Sequence, residues 1–129
     1  MALQVDILTP RRQVFSGQAN DVRIPGWEGQ MGVYPGHDVM LVRTRGGVVT
    51  IGSAEGEQRF IVGRGFAEVG PDRVTFLADS CITPADVNAA EAEKDAHAAE
   101  QAMAQASAFS PEWDEAERKL EVARAKLRA

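Results

Sequence analysis

The side chains best suited to chemistry are few in this chain and do not gather. Cys81 is the single cysteine and has no histidine near it in sequence, so it offers neither an internal disulfide nor a Cys-based zinc site. His37 and His97 are too few and too far apart to mark a metal centre. Glu55 and Glu57 flank Gly56 in what reads as a hairpin tip, where two carboxylates are solvated rather than paired for acid–base work. There is no Gly-x-x-x-x-Gly-Lys-Ser/Thr loop to cradle a phosphate and no Gly-x-Ser-x-Gly nucleophile turn. Arg64-Gly65-Phe66-Ala67 follows the first four places of an RNA-recognition strand, but Glu68 stands where an aromatic ring should stack on a base. Acidic residues outnumber basic ones, 19 to 14, for a net charge of −5, which also speaks against a nucleic-acid partner. The missing motifs weaken the case for an enzyme without closing it, and no cofactor, metal or nucleic acid is expected.

The elements that carry these residues fall into two segments, 1–82 and 83–129. All 12 glycines lie at or before Gly70, whereas fifteen of twenty alanines lie beyond residue 82. Gly-rich followed by Ala/Glu/Lys-rich means turn-rich strands followed by helix. In the first segment Leu3–Ile7 alternates strictly between apolar and polar, and further runs follow at Ala19–Ile24, Gly29–Tyr34, Val39–Arg43, Val48–Ile51, Arg59–Val62, Phe66–Val69 and Val74–Ala78. Gly and Pro turns separate them at the spacing of an all-β sandwich, with mostly antiparallel connections.

The second segment opens on Thr83-Pro84, an N-cap followed by proline at the first helical place, with Asp86 three residues after the cap. Ala85, Ala89, Ala92, Ala96, Ala99, Met103 and Ala106 then recur at spacings of three and four. Ser110-Pro111-Glu112 repeats the start signal, and Trp113, Ala116, Leu120, Ala123 and Leu127 continue the pattern. Two such seams joined by a short link predict an antiparallel helical hairpin. An alanine seam buries little apolar area, so the hairpin is expected to dock weakly on the sandwich. The start of the chain lacks the basic patch and apolar run of a signal peptide. The longest apolar runs are tetrads such as Val39–Val42, far short of the roughly 20 residues that span a bilayer. A cytosolic setting without direct lipid insertion is the expectation.

The most specific stretch is Glu28-Gly29-Gln30-Met31-Gly32-Val33-Tyr34-Pro35-Gly36-His37. Locally, Tyr34-Pro35-Gly36-His37 suits a type II turn, with Pro at the second place and Gly supplying positive φ at the third. Together with Phe15-Ser16-Gly17 upstream, Arg64–Val69 and Val74–Asp79 downstream, and the final helix from Trp113 to Arg128, it closely resembles the epsilon subunit of rotary F-type ATP synthases. The resemblance runs in order along nearly the whole chain. The residue in place of that family's first glycine in the Gly-Gly run is Arg64.

The resemblance implies a β-sandwich followed by a two-helix hairpin, in a non-catalytic subunit that binds gamma and rests on the c-ring of a proton-translocating synthase. It implies a place on the cytoplasmic face of the bacterial inner membrane. Tyr34, Pro35, Gly36 and His37 match the gamma-facing turn, and Glu28, Gly29, Gln30 and Met31 match the c-ring-facing loop. Arg118, Lys119, Arg124 and Arg128 match the basic positions that the last helix offers to the catalytic beta and alpha subunits when it restrains ATP hydrolysis. Members that bind ATP carry an arginine where this chain has Ala89, so no nucleotide site is expected. The alternative is a free-standing β-sandwich that binds a ligand and dimerises through its helical arm.

Overall fold

Alternation of apolar and polar residues fixes the strands, and turns at Gly, Pro and Asp residues fix their ends. The computed structural model describes residues 2–129; Met1, at which the first segment and the start of the chain were read, lies outside the described residues. Ten strands come first: β1 (Leu3–Leu8), β2 (Gln13–Ala19), β3 (Asp21–Gly26), β4 (Gly29–Val33), β5 (Met40–Thr44), β6 (Gly47–Ser53), β7 (Gly56–Val62), β8 (Gly65–Val69), β9 (Arg73–Ala78) and β10 (Cys81–Ile82). Two helices follow, α1 (Ala89–Gln105) and α2 (Pro111–Arg128). The arrangement is a β-sandwich with a C-terminal helical hairpin, as the sequence predicts.

One layer runs β10-β7-β6-β3 with β4 beside β3, and the other runs β5-β8-β9-β1-β2. A single register pair, Gly26 with Thr44, joins β3 to β5 and turns one layer into the other. All pairings are antiparallel except that of β1 with β9. The inward residues form one core, with Leu3, Ile7, Ile24 and Phe76 among its fully buried side chains. Phe15 of β2 meets Phe60 of β7 at 5.4 Å between ring centroids and helps close the two layers.

Two strands escape the sequence reading. β2 is a polar edge strand that includes Gly17, and β10 has only two residues, so neither has an apolar period to detect. The helix start also differs. Thr83-Pro84 opens a short 3-10 turn over Pro84–Asp86, in which the Thr83 hydroxyl donates to the Asp86 carboxylate rather than capping a backbone N–H. Val87 then returns to extended backbone, and Asn88 is the true cap, accepting from the Glu91 N–H at 3.1 Å. Ala85 therefore precedes the seam, and Ala92, Ala96 and Ala99 carry its buried part. The second start holds: Ser110 accepts from the Trp113 N–H at 3.2 Å, with Pro111 at the first helical place.

Candidate functional site

Strand β4 separates two of the segments singled out in the sequence. At one end Trp27-Glu28 is the two-residue turn of the β3–β4 hairpin, closed by the Gly26–Gly29 pair. Glu28, Gly29 and Gln30 are exposed, and Gly29 takes a φ of +141° that only glycine adopts readily. Met31 points the other way and packs against the core, so it anchors the tip rather than extending it. At the other end, roughly 15 Å away at 3.3 Å per residue, lies the Tyr34–His37 turn. Gly36 has the positive φ, +89°, that the turn requires. Its N–H donates to the Pro71 carbonyl at 2.7 Å, holding the turn beside the β8–β9 connection. His37 is partly exposed and its Nδ1 donates to the Asp38 carbonyl at 2.7 Å.

The outer face of β5-β8-β9 carries Leu41, Phe66 and Leu77 among Arg43, Glu68 and Thr75. Inward residues of these strands alternate with Leu41, Phe66 and Leu77, and the register sets Phe66 opposite Leu77. With Tyr34 and Val39 from the preceding loop, these side chains expose between 40% and 81% of their surface. Isolated exposed apolar residues need no explanation, but several on one sheet face mark an interaction surface.

The hairpin meets the other layer through charge. α2 lies against β6 and β7, with Ala125 and Ile61 buried there. Between β7 and β8, Arg64 is only 6% exposed, and its guanidinium donates to Asp114 at 2.8 Å, to Glu117 at 2.7 Å and to Glu121 at 2.9 and 3.0 Å. Arg45 donates to Glu121 at 2.9 Å, and the Gly46 N–H donates to the same carboxylate at 2.9 Å. A methyl group on Gly46 would approach the Glu121 side chain to 3.0 Å, so glycine lets the helix come this close. Hydrogen bonding to Glu121 raises the already high pKa of Arg64, outweighing the opposing effect of burial. For Glu121 burial acts upward, but the hydrogen bonds from Arg64, Gly46 and Arg45 win and lower its pKa. Asp114 is lowered by its hydrogen bonds to Arg64 and then Arg118. Ion pairs thus tie α2 to the sandwich, while the alanine seam packs helix on helix.

The sequence reading missed this cluster, although a signal existed. Arg64 interrupts the otherwise uncharged run Phe60–Ala67, and Asp114, Glu117 and Glu121 recur at spacings of three and four, on one helix face. The early carboxylates of α2 suit the helix dipole as well, which is how the sequence alone explains them. Burial removes Arg64 from any RNA-facing role. Of the basic residues assigned to α2, Arg118 pairs with Asp114 and Asp79, and Arg124 lies 3.6 Å from Glu100. Lys119 and Arg128 are exposed. Burial raises the Cys81 thiol to about 11, so it is protonated at neutral pH and a poor nucleophile. Among the described residues no group of three or more His, Cys, Asp or Glu side chains could hold a metal ion. Among the described residues no helix is long and apolar enough to cross a membrane.

Comparison with known proteins gives this geometry a context. The fold is similar to that of a chain in the Euglena gracilis mitochondrial ATP synthase (OSCP/F1/c-ring, rotational state 1), with a TM-score of 0.83 at 15% identity, covering 98% of this chain and 80% of that one. It is also similar to a chain in the central stalk/c-ring structure of the Tetrahymena thermophila mitochondrial ATP synthase, with a TM-score of 0.66 at 12% identity, covering 99% and 96%. At these identities the likeness is one of fold. The family described as ATP synthase, Delta/Epsilon chain, beta-sandwich domain matches residues 2–84, almost the whole strand-bearing segment and most of the chain. This protein belongs to the ATP synthase delta/epsilon chain family.

Proposed function

We propose that this epsilon-type subunit, a non-catalytic component of an ATP synthase, links the rotor's gamma subunit to the c-ring of a proton-translocating enzyme. The observation that carries the reading is the set of exposed apolar side chains at and near the outer face of β5-β8-β9: Tyr34, Val39, Leu41, Phe66 and Leu77. A face of this kind suits a protein partner, and gamma is the partner the family supplies. The β3–β4 tip, with Glu28, Gly29 and Gln30 exposed at the far end of β4, suits a contact with the polar loops of the c-ring. The neighbours of like fold, resolved within F1/c-ring and central-stalk assemblies, support both partners. In this reading the chain sits peripherally at the cytoplasmic face of a bacterial inner membrane. Its hairpin regulates ATP hydrolysis by leaving the sandwich and presenting Arg118, Lys119, Arg124 and Arg128 to the beta and alpha subunits. Residues 1–82 form the unit that binds, and residues 83–129 the unit that regulates.

Co-elution with gamma in size-exclusion chromatography tests the central claim. The chain with Leu41→Asp and Phe66→Asp should keep its circular dichroism and lose the complex. If that double variant still co-elutes, this face is not the interface. A chain ending near Thr83 should unfold cooperatively and still bind gamma, since the sandwich closes its own core and Arg64 would simply become hydrated. Non-cooperative unfolding of that truncation would refute the two-unit division.

A further inference from the structure

The hairpin and the β3–β4 tip meet at one side chain. Trp27, the first residue of the tip, has the guanidinium carbons of Arg43, Arg45 and Arg64 at 3.6, 4.0 and 4.9 Å from its ring centroid. Its backbone is fixed from the same residues: the Trp27 N–H donates to the Arg43 carbonyl at 2.9 Å, and Arg45 Nε donates to the Trp27 carbonyl at 3.0 Å. Two of these three arginines, Arg45 and Arg64, are also the ones that hold α2 through Asp114, Glu117 and Glu121.

We infer that Trp27 is a positioning residue through which docking of the hairpin sets the conformation of the Glu28–Met31 tip, and the tip in turn sets the stability of the docked hairpin. Three cations around one indole repel one another, and the weak attraction of the ring alone does not hold them together. The carboxylates of α2 supply the counter-charge of Arg45 and Arg64. When α2 leaves, Arg45 and Arg64 lose their counter-charges, spread from the ring and release the Trp27 carbonyl. The tip then loses its outer brace at the residue next to Glu28. Linkage makes the effect reciprocal: whatever clamps the tip with Trp27 in place favours the docked hairpin by the same factor. The inference rests on the proposed roles of the tip and the hairpin for its significance, but the coupling is a property of the isolated chain.

Hydrogen exchange read by mass spectrometry on the full chain tests it. Glu121→Gln should speed exchange in α2 and, by a similar factor of about 5 or more, in the backbone amides of residues 28–31, with β1 and β2 unchanged. Trp27→Leu should speed exchange in α2, to which the Trp27 ring is linked through Arg45 and Arg64, and Trp27→Phe should restore most of the protection. With Trp113→Phe as background, Glu121→Gln should also shift the emission of the remaining Trp27. Faster exchange in α2 with residues 28–31 unaffected in Glu121→Gln overturns the inference. So does undisturbed protection of α2 in Trp27→Leu. Should Trp27→Leu fail to fold, the Glu121→Gln arm decides alone. No gamma or c-ring enters the measurement, so a chain that fails to bind them would still show the coupling, and the two claims fall separately.

Discussion

The sandwich and the hairpin are held by opposite means. Sixteen buried apolar residues from both layers make one core in the first, whereas Ala96, Ala99, Leu120 and Ala123 make up the buried cluster of the second. Three alanines and one leucine give little transfer free energy, since burial contributes about 25 cal/mol per Å² of apolar area. The hairpin compensates with a buried arginine and three carboxylates, an arrangement whose net stability is modest because desolvation offsets much of the attraction. Apolar cores tolerate little movement, while an ionic contact between otherwise solvated groups comes apart as a unit and can be remade. The difference separates a platform held by apolar burial from an element tied to it by charge.

That contrast is broken most severely at the centre of the core. Phe76 is 1% exposed, and Phe76→Ala should destabilise the sandwich by about 3–5 kcal/mol through lost burial and a cavity. Urea denaturation followed by far-UV circular dichroism measures it, and a loss under 1 kcal/mol would mean that the core is not what holds the platform.

Next in size is the charge cluster. Arg64→Met keeps an unbranched apolar stem but leaves Asp114, Glu117 and Glu121 without their shared partner. Breaking a fully buried pair costs about 3–5 kcal/mol; the partly exposed carboxylates recover hydration, so about 2–3 kcal/mol of docking should be lost. Hydrogen exchange should show α2 opening while β1 and β9 stay protected. Loss of protection throughout would mean that the hairpin and the sandwich form one cooperative unit.

How much of this was legible in the sequence follows the same division. Strands β1, β3 and β9 show the period of two that burial of one face imposes, so their positions could be read to within a residue or two. The helical seam showed its period of 3.6 for the same reason. Polar contacts leave no such period. Trp27, Arg45 and Arg64 come together only when β3, β5 and β8 assemble, and Glu121 joins them only when the hairpin folds back, so their types were visible but their meeting was not. The cap at Asn88 was hidden by a competing signal at Thr83-Pro84, which the chain uses for a 3-10 turn instead.

A third test works at the platform's edge. Gly36→Val forces a β-branched residue into positive φ with open space around it, so the cost is backbone strain alone, about 1–3 kcal/mol. His37→Ala should change stability by no more than about 0.5 kcal/mol, as at other exposed sites, while weakening the complex with gamma. Denaturation and co-elution of the two variants separate strain from contact, and unfolding by His37→Ala with binding intact would remove His37 from the interface.

The smallest effect expected is that of pH, and its sign is fixed by the carboxylates. The pKa values of Asp114 and Glu121 are lower in the docked state than their ordinary values, because Arg64 and its neighbours favour the ionised forms. Groups depressed in this way contribute stability that is complete above the ordinary carboxylate pKa of about 4 and is lost as pH falls through the docked-state values. Arg64, whose pKa is raised, stays charged throughout. Docking should therefore be flat from about pH 6 to 9 and weaken only as the solution is taken below about pH 4. In a chain carrying Trp113→Phe, Trp27 emission followed against pH reads the docked fraction directly. A transition near neutral pH would contradict the assignment of these carboxylates as the groups that hold α2, since neither titrates there in the docked or the undocked state.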